Sequence, residues 1–461
     1  MKKIILAIFI AFTVQVSAQP LIEKPIVDKR VEVISIVFRL AGNQEYSSTN
    51  VKLYTDRIEQ HFAPHKNHEL IQFAKKMRSE KSVSYDAPMS LAIFLDDNLN
   101  PRKEFAENSL ERWSKDDAIE FVRLLKKFYT DAECGVFFDN NQELYEETTN
   151  RFVSVYSNMD LDWYSKFYGN EPTEKFKIII APSNGGSCYG PSFIDANENK
   201  EVYAVMGIWS VDSLGTPIFD ANSYLPILIH EFSHSFVNPL LEKNKSIFKD
   251  NGEAIFEALK YEMSVQAYGK WETVLNEALV RASVIKYYKD HNADQTTIDG
   301  LYKMEIGNSF LWIKELVAEL EKYDSNRITY PTLEDYIPQL AEAYNSYTEI
   351  VIQLNSKKPK VTTIDEFENG TTNLNPNVKT ITINFDKALE GKRYSFLFGR
   401  KGREAFPKVN NIQYVKDNKA IQLEVELEED KEYQFVLFGD YFKTPDGYPL
   451  KAYEVNFKTE K

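Results

Sequence analysis

Cysteine is almost missing from this chain, with only Cys134 and Cys188 in 461 residues. That excludes the dense disulfide framework of small secreted domains and leaves too few thiolates for a cysteine-based zinc site. One Cys134–Cys188 bridge stays open, because sequence does not say whether the two residues meet. Histidine is scarce as well, with six. Basic residues are outnumbered, 55 Lys and Arg against 69 Asp and Glu, for a net charge of −14. Such a chain repels phosphate backbones, so nucleic acid is a poor partner. No long polar or Gly/Ser tract occurs, which argues against global disorder. Beyond the N-terminus no apolar run reaches membrane-spanning length.

What is present is 43% hydrophobic and 13% aromatic residues, enough for one large core and a further domain. The opening stretch, MKKIILAIFIAFTVQVSAQP, has the parts of a secretory signal. Lys2 and Lys3 supply the positive end, Ile4 to Val14 the apolar segment, and Val16-Ser17-Ala18 the small residues of a cleavage site. Cleavage is expected after Ala18, and no cysteine follows to carry a lipid. The mature protein is therefore expected to be exported and soluble, in a periplasm or outside the cell.

After the signal, Val31 to Leu40 (VEVISIVFRL) reads as a strand. Helical segments follow at about 50–62, 68–78 and 114–129, the last capped by Ser114, and the helical character continues over 141–168. Phe176 to Ala181 and Val202 to Ile208 read as buried strands around the turn-rich loop PSNGGSCYGP. Helices then dominate to about Leu354, and a linker is expected over 356–376. Beyond it the period switches to two, at Ile381, Ile383 and Phe385 and at Leu423, Val425 and Leu427. Short strands at that spacing predict an all-β sandwich over 377–461.

The chemistry centres on PILIHEFSHSF, residues 226–236. With so few histidines, HExxH should arise by chance in roughly one such chain in a hundred. On a helix, His230 and His234 lie about 40° apart, so both imidazoles reach one metal ion. Leu225, Leu228, Ile229, Phe232 and Phe236 form the opposite, core-facing stripe. Glu231 stands where its carboxylate takes a proton from a metal-activated water without binding the metal. A third ligand is needed, and no histidine follows within two turns; His291 sits past a helix end. Glu277, on the helix WETVLNEALVRASVIKYY, is the first candidate, with Glu253 and Glu257 as rivals. Arg281, one turn on, is a candidate to orient Glu277 or to bind a substrate carboxylate, with an ordinary i,i+4 ion pair as the equally weighted alternative. Tyr189 in the glycine loop is a candidate oxyanion donor, and Tyr203 on the second strand a candidate substrate contact. His61, His65 and His68 flank Pro64 and read as surface or capping residues.

HEFSH followed by NEALVRA resembles the gluzincin group of zinc metallopeptidases. The resemblance implies zinc held by His230, His234 and Glu277, with Glu231 as general base. Arg281 departs from the thermolysin-like pattern, which has an acidic residue there. More closely, the chain resembles a family of secreted bacterial proteins, a domain of unknown function with metallopeptidase character, over about 30–350. The implied fold is α+β and zincin-like, mostly helical with a small sheet, over 19–355. Its N-terminal α/β part is expected to span about 19–170 and its catalytic part about 171–355. The following sandwich at 377–461 resembles immunoglobulin-like modules and offers a surface for glycan or protein contact. A strand beside the active helix is expected to pair with extended peptide, and Val202–Ile208 is the candidate for it. The expected function is a secreted zinc peptidase acting on a peptide or protein substrate. The alternatives are an inactive binding protein on the same scaffold and a zinc amidase acting on cell-wall peptides.

Overall fold

A computed structural model describes residues 23–107, 109–171, 174–266, 268–399 and 401–461. The signal peptide expected over 1–18 lies outside the described residues. About half of the chain is helical, and several small sheets and a β-rich C-terminal region complete an α+β fold. The chain divides into two compact units, Met1–Leu240 with Pro331–Glu334, and Leu241–Tyr330 with Asp335–Lys461.

The first unit opens with helices α1 (Lys29–Leu40), α2 (Lys52–Phe62), α3 (Glu69–Lys81) and α4 (Ala87–Phe94). Then come α5 (Lys115–Asp131), α6 (Cys134–Asp139), α7 (Gln142–Tyr156) and α8 (Leu161–Tyr168). The strand expected at Val31–Leu40 is therefore a helix. Asp28 caps it by accepting from the Arg30 N–H, and nearly every position from Val31 to Leu40 is buried. A helix buried all round shows no apolar stripe, and its β-branched residues imitate a strand. Ser114 caps α5 as expected, accepting from the Asp117 N–H. His68 caps α3 through Nδ1, and His61 bonds the Ala132 carbonyl, so these histidines serve local structure.

A three-stranded sheet follows, from β1 (Lys175–Ile180), β2 (Ser192–Ile194) and β3 (Lys200–Met206), in the order β1-β3-β2. The outer side of β1 is taken by the chain around Ile26. Strand β3 pairs in parallel with β1 and antiparallel with β2, and Tyr189 pairs with Val205 further along. The strand expected to offer an open edge, Val202–Ile208, is thus the centre of the sheet. Among the described residues, the edge of the sheet on the far side of β3 is formed by the segment 188–194. A small hairpin, β4 (Ser210–Val211) with β5 (Pro217–Ile218), leads into α9 (Ala221–Val265), whose start is capped by Asp220.

In the second unit α9 continues past a kink at Leu259 and is followed by α10 (Trp271–Asp290), α11 (Gln295–Gly307), α12 (Ile313–Asp324) and α13 (Leu333–Lys357). Gly252 lets the Trp271 ring pack against α9, because a Cβ there would lie 2.4 Å from the ring. The strands of the β-rich region are β6 (Val361–Ile364), β7 (Thr380–Phe385), β8 (Phe396–Phe398), β9 (Lys408–Val415), β10 (Ala420–Glu426), β11 (Glu432–Lys443) and β12 (Pro449–Lys458). They form two sheets, β6-β7-β10-β9 and β12-β11-β8, whose inner residues, among them Ile381, Leu423, Phe435 and Val455, share one apolar cluster. Strand β6 falls inside the segment read as linker and pairs with β7.

Candidate metal centre

The HEFSH segment lies within α9. Its core side is held by aromatic rings: Phe232 meets Tyr164 at 4.6 Å and Phe176 at 4.7 Å, and Phe236 stacks on Tyr168 at 4.6 Å. The Tyr164 hydroxyl also donates to the Ile229 carbonyl at 3.2 Å. Leu228 and Ile229 are fully buried, whereas His230, Glu231 and His234 are only partly so. The apolar stripe read from the sequence therefore fixes which way the polar triplet faces.

The Nε2 atoms of His230 and His234 stand 3.2 Å apart. Two metal–nitrogen bonds of 2.0–2.1 Å at a tetrahedral angle place their nitrogens about 3.3 Å apart, so the pair fits one ion. His234 Nδ1 lies 3.1 Å from Asn238 Oδ1, an arrangement in which Nδ1 carries the proton and Nε2 keeps its lone pair. His230 and His234 belong to the first unit, and Glu277, the expected third ligand, belongs to the second. Two imidazoles and a carboxylate make a donor set suited to zinc. Glu253 and Glu257 are exposed and lie beside Lys249 and Lys260. His291 stacks on Tyr287 at 4.0 Å and bonds its carbonyl.

Glu277 Oε2 accepts from the Tyr268 hydroxyl at 3.0 Å and from Arg281 Nη2 at 3.2 Å. Arg281 Nη1 donates to Glu305 at 2.6 Å. Burial opposes the charge on Arg281, but Glu277 and Glu305 outweigh it and hold the guanidinium firmly protonated. Burial also pushes the Tyr268 hydroxyl up, and the nearby Glu277 charge adds to the effect.

Facing Glu231 is the segment 188–194. Tyr189, Pro191 and Phe193 are buried, while Gly190, Ser192 and Ile194 are exposed. Tyr189 and Pro191 direct their main-chain bonds to Val205 and Tyr203 of β3. By the alternation of an antiparallel ladder, the main-chain groups of Gly190 and Ser192 point away from the sheet. Gly190 lies against the Glu231 carboxylate, since a Cβ there would sit 2.1 Å from Oε2. Tyr189 itself turns to the other face, with Glu45, Tyr85 and Asp86 among its neighbours, and burial pushes its hydroxyl up to about 12. Tyr203 is also buried and donates to Glu201 at 2.5 Å. Burial works against the Glu201 charge, but Arg102, Tyr203 and Lys177 hold its carboxyl down at about 2. Burial raises the Cys188 thiol to about 12, with a further push from Glu231. Cys134 and Cys188 are both free thiols.

Sequence reasoning missed Asn238, Tyr268 and Glu305. Asn238 sits four residues after His234, the spacing that puts it beside the imidazole, and was legible in principle. Tyr268 and Glu305 come from other segments and left no local signal.

Fold and site define an α+β protein with a histidine pair suited to a metal ion. By sequence, residues 25–343 match the family described as Domain of unknown function (DUF4932), and the chain belongs to it. No protein with a curated description matches. Among solved structures, the chain is similar to the bacterial S-layer protein rSbsC(31-844) at 12% identity and TM-score 0.17, covering 50% of this chain and 33% of that one. It is also similar to domains 1-6 of surface layer protein SbsC, at 13% identity and TM-score 0.18, covering 52% of this chain and 34% of that one. TM-scores this low define no shared fold. No helix among the described residues is long and apolar enough to cross a membrane.

Proposed function

We propose that the protein is an exported zinc-dependent peptidase of the gluzincin kind, with a zincin-like catalytic domain over 19–355. The observation that carries this reading is the His230–His234 pair, whose Nε2 atoms stand 3.2 Å apart as two ligands of one zinc would, with Glu277 as the third ligand. His230, His234 and Glu277 would hold the zinc, which would supply Lewis acidity toward an amide carbonyl and lower a water's pKa toward 7. Glu231 would act as general base toward the attacking water and return the proton to the leaving amine. Gly190 and Ser192 offer outward main-chain groups beside Glu231, and an extended peptide pairs with them as an added strand. That edge favours peptide over other acyl substrates. The two C-terminal sheets around one core support an immunoglobulin-like sandwich, which docks the enzyme on glycan or protein.

Metal analysis and turnover test this together. One zinc per chain, lost in His230→Ala, supports the site; zinc-free protein from zinc-replete medium rejects it. Glu231→Gln is expected to keep the metal and lose cleavage of a peptide library. Equal behaviour of Glu231→Gln and the unaltered protein on every peptide would reject the peptidase and favour a binding protein.

A further inference from the structure

We propose that Tyr268 and Arg281, braced by Glu305, are positioning residues for Glu277 that fix the orientation of its carboxylate as a metal ligand. The inference rests on the zinc reading above and goes beyond it in assigning the groups that prepare the third ligand. Both donors converge on the same oxygen, Oε2: Tyr268 from 3.0 Å and Arg281 from 3.2 Å. Arg281 Nη2 also donates to the Tyr268 hydroxyl oxygen at 2.9 Å, so the three groups close a triangle. Rotation of the carboxylate would break two bonds at once.

The triangle is itself braced. Arg281 Nη1 donates to Glu305 at 2.6 Å, and Asn308 donates to the same Glu305 oxygen at 3.2 Å. The guanidinium carbon lies 4.8 Å from the centre of the Phe310 ring. The side chains of Glu277, Arg281 and Glu305 are 12%, 14% and 6% exposed. That burial separates them from a surface i,i+4 pair, which side-chain motion and salt weaken. Of the roles expected for Arg281, the geometry favours orienting Glu277. Its two terminal nitrogens face Glu305, Tyr268 and Glu277, so it serves the ligand rather than a substrate carboxylate.

The test is zinc affinity of the full chain by competition with a chromophoric chelator, with the visible spectrum of the cobalt-loaded protein as a second readout. Tyr268→Phe removes one donor at constant shape and is expected to weaken zinc about 10-fold or more and to shift the cobalt bands. Arg281→Lys keeps the charge but cannot bridge Glu277 and Glu305, and is expected to weaken zinc similarly. Tyr347→Phe is the control: it deletes another well-buried tyrosine hydroxyl, bonded to the Glu315 carbonyl at 3.2 Å. It is expected to leave both readouts unchanged. If the unaltered protein binds zinc and Tyr268→Phe binds it within about twofold, the positioning role is overturned while the zinc site stands. Equal weakening by Tyr347→Phe also overturns it, because general loosening would then explain the loss. Protein that binds no zinc at all overturns the underlying site.

Discussion

Gly190 lies against Glu231: a Cβ at position 190 would sit 2.1 Å from Oε2 and 3.2 Å from the carboxylate carbon. The backbone at Gly190 is not left-handed, so the glycine answers to this contact and not to its conformation. Gly190→Ala must therefore displace either the edge segment or the Glu231 carboxylate. Kcat/KM on a peptide substrate is expected to fall about 10- to 100-fold, with zinc content unchanged. Gly300→Ala is the opposite case, because nothing lies within 4 Å of its added methyl. It sits inside α11 and should stabilise the protein by about 0.5–1 kcal/mol without touching turnover. Unimpaired turnover in Gly190→Ala would separate Glu231 from the chemistry.

Asn238 gives a second handle on the same helix. Its Oδ1 lies 3.1 Å from His234 Nδ1 and fixes the tautomer that leaves Nε2 for the metal. Asn238→Ala removes that partner, and zinc is expected to bind about 10-fold more weakly by chelator competition. Asn238→Asp keeps an acceptor there and should restore most of the loss. A weakening that both substitutions share would point to helix stability instead.

How far the sequence reached depended on whether the signal was local. HEFSH and its apolar stripe are periodic over two turns, so helix, facing and the His230–His234 pair were legible. Ser114 as a cap and the strands around Ile381 and Leu423 were legible for the same reason. The Lys29–Leu40 helix was not, because burial on all sides erases the amphipathic stripe. Strand β6 was hidden because its first three residues are not buried and only Ile364 reaches the core. The free edge was assigned to the wrong strand, since pairing order is a long-range property. The short segment around Gly190 and Ser192 carries too few residues to read as a strand at all. The partners of Glu277 were invisible for a like reason: Tyr268 and Glu305 lie 9 and 28 residues away along the chain.

The cysteines make a simpler prediction. Cys134 is buried on α6, Cys188 lies in the glycine loop, and neither is bridged. Denatured, unreduced protein should titrate two thiols per chain, and a reductant should leave the melting temperature unchanged. Zero free thiols would contradict the arrangement of the loop around Gly190.

The last prediction concerns Glu32, fully buried on α1 beneath the same loop. The Ser183 N–H donates to its Oε1 at 3.3 Å. Burial raises its carboxyl to about 7 from an ordinary 4.5, Tyr54 and Ser183 pull it back, and Asp28 adds a small further rise. The sign follows from proton binding. Between about pH 4.5 and 7 the folded state holds the proton and the unfolded state has lost it. Stability therefore falls as pH rises through that window, by an amount on the order of 3 kcal/mol at its upper end. Glu32→Gln keeps an acceptor for Ser183 and cannot ionise. Its urea-unfolding free energy, compared with that of the unaltered protein, should be similar at pH 4.5 and higher at pH 8 by up to that amount. Taking the difference cancels every other titrating group. A constant difference across the range would mean that Glu32 is solvated or paired in the folded protein.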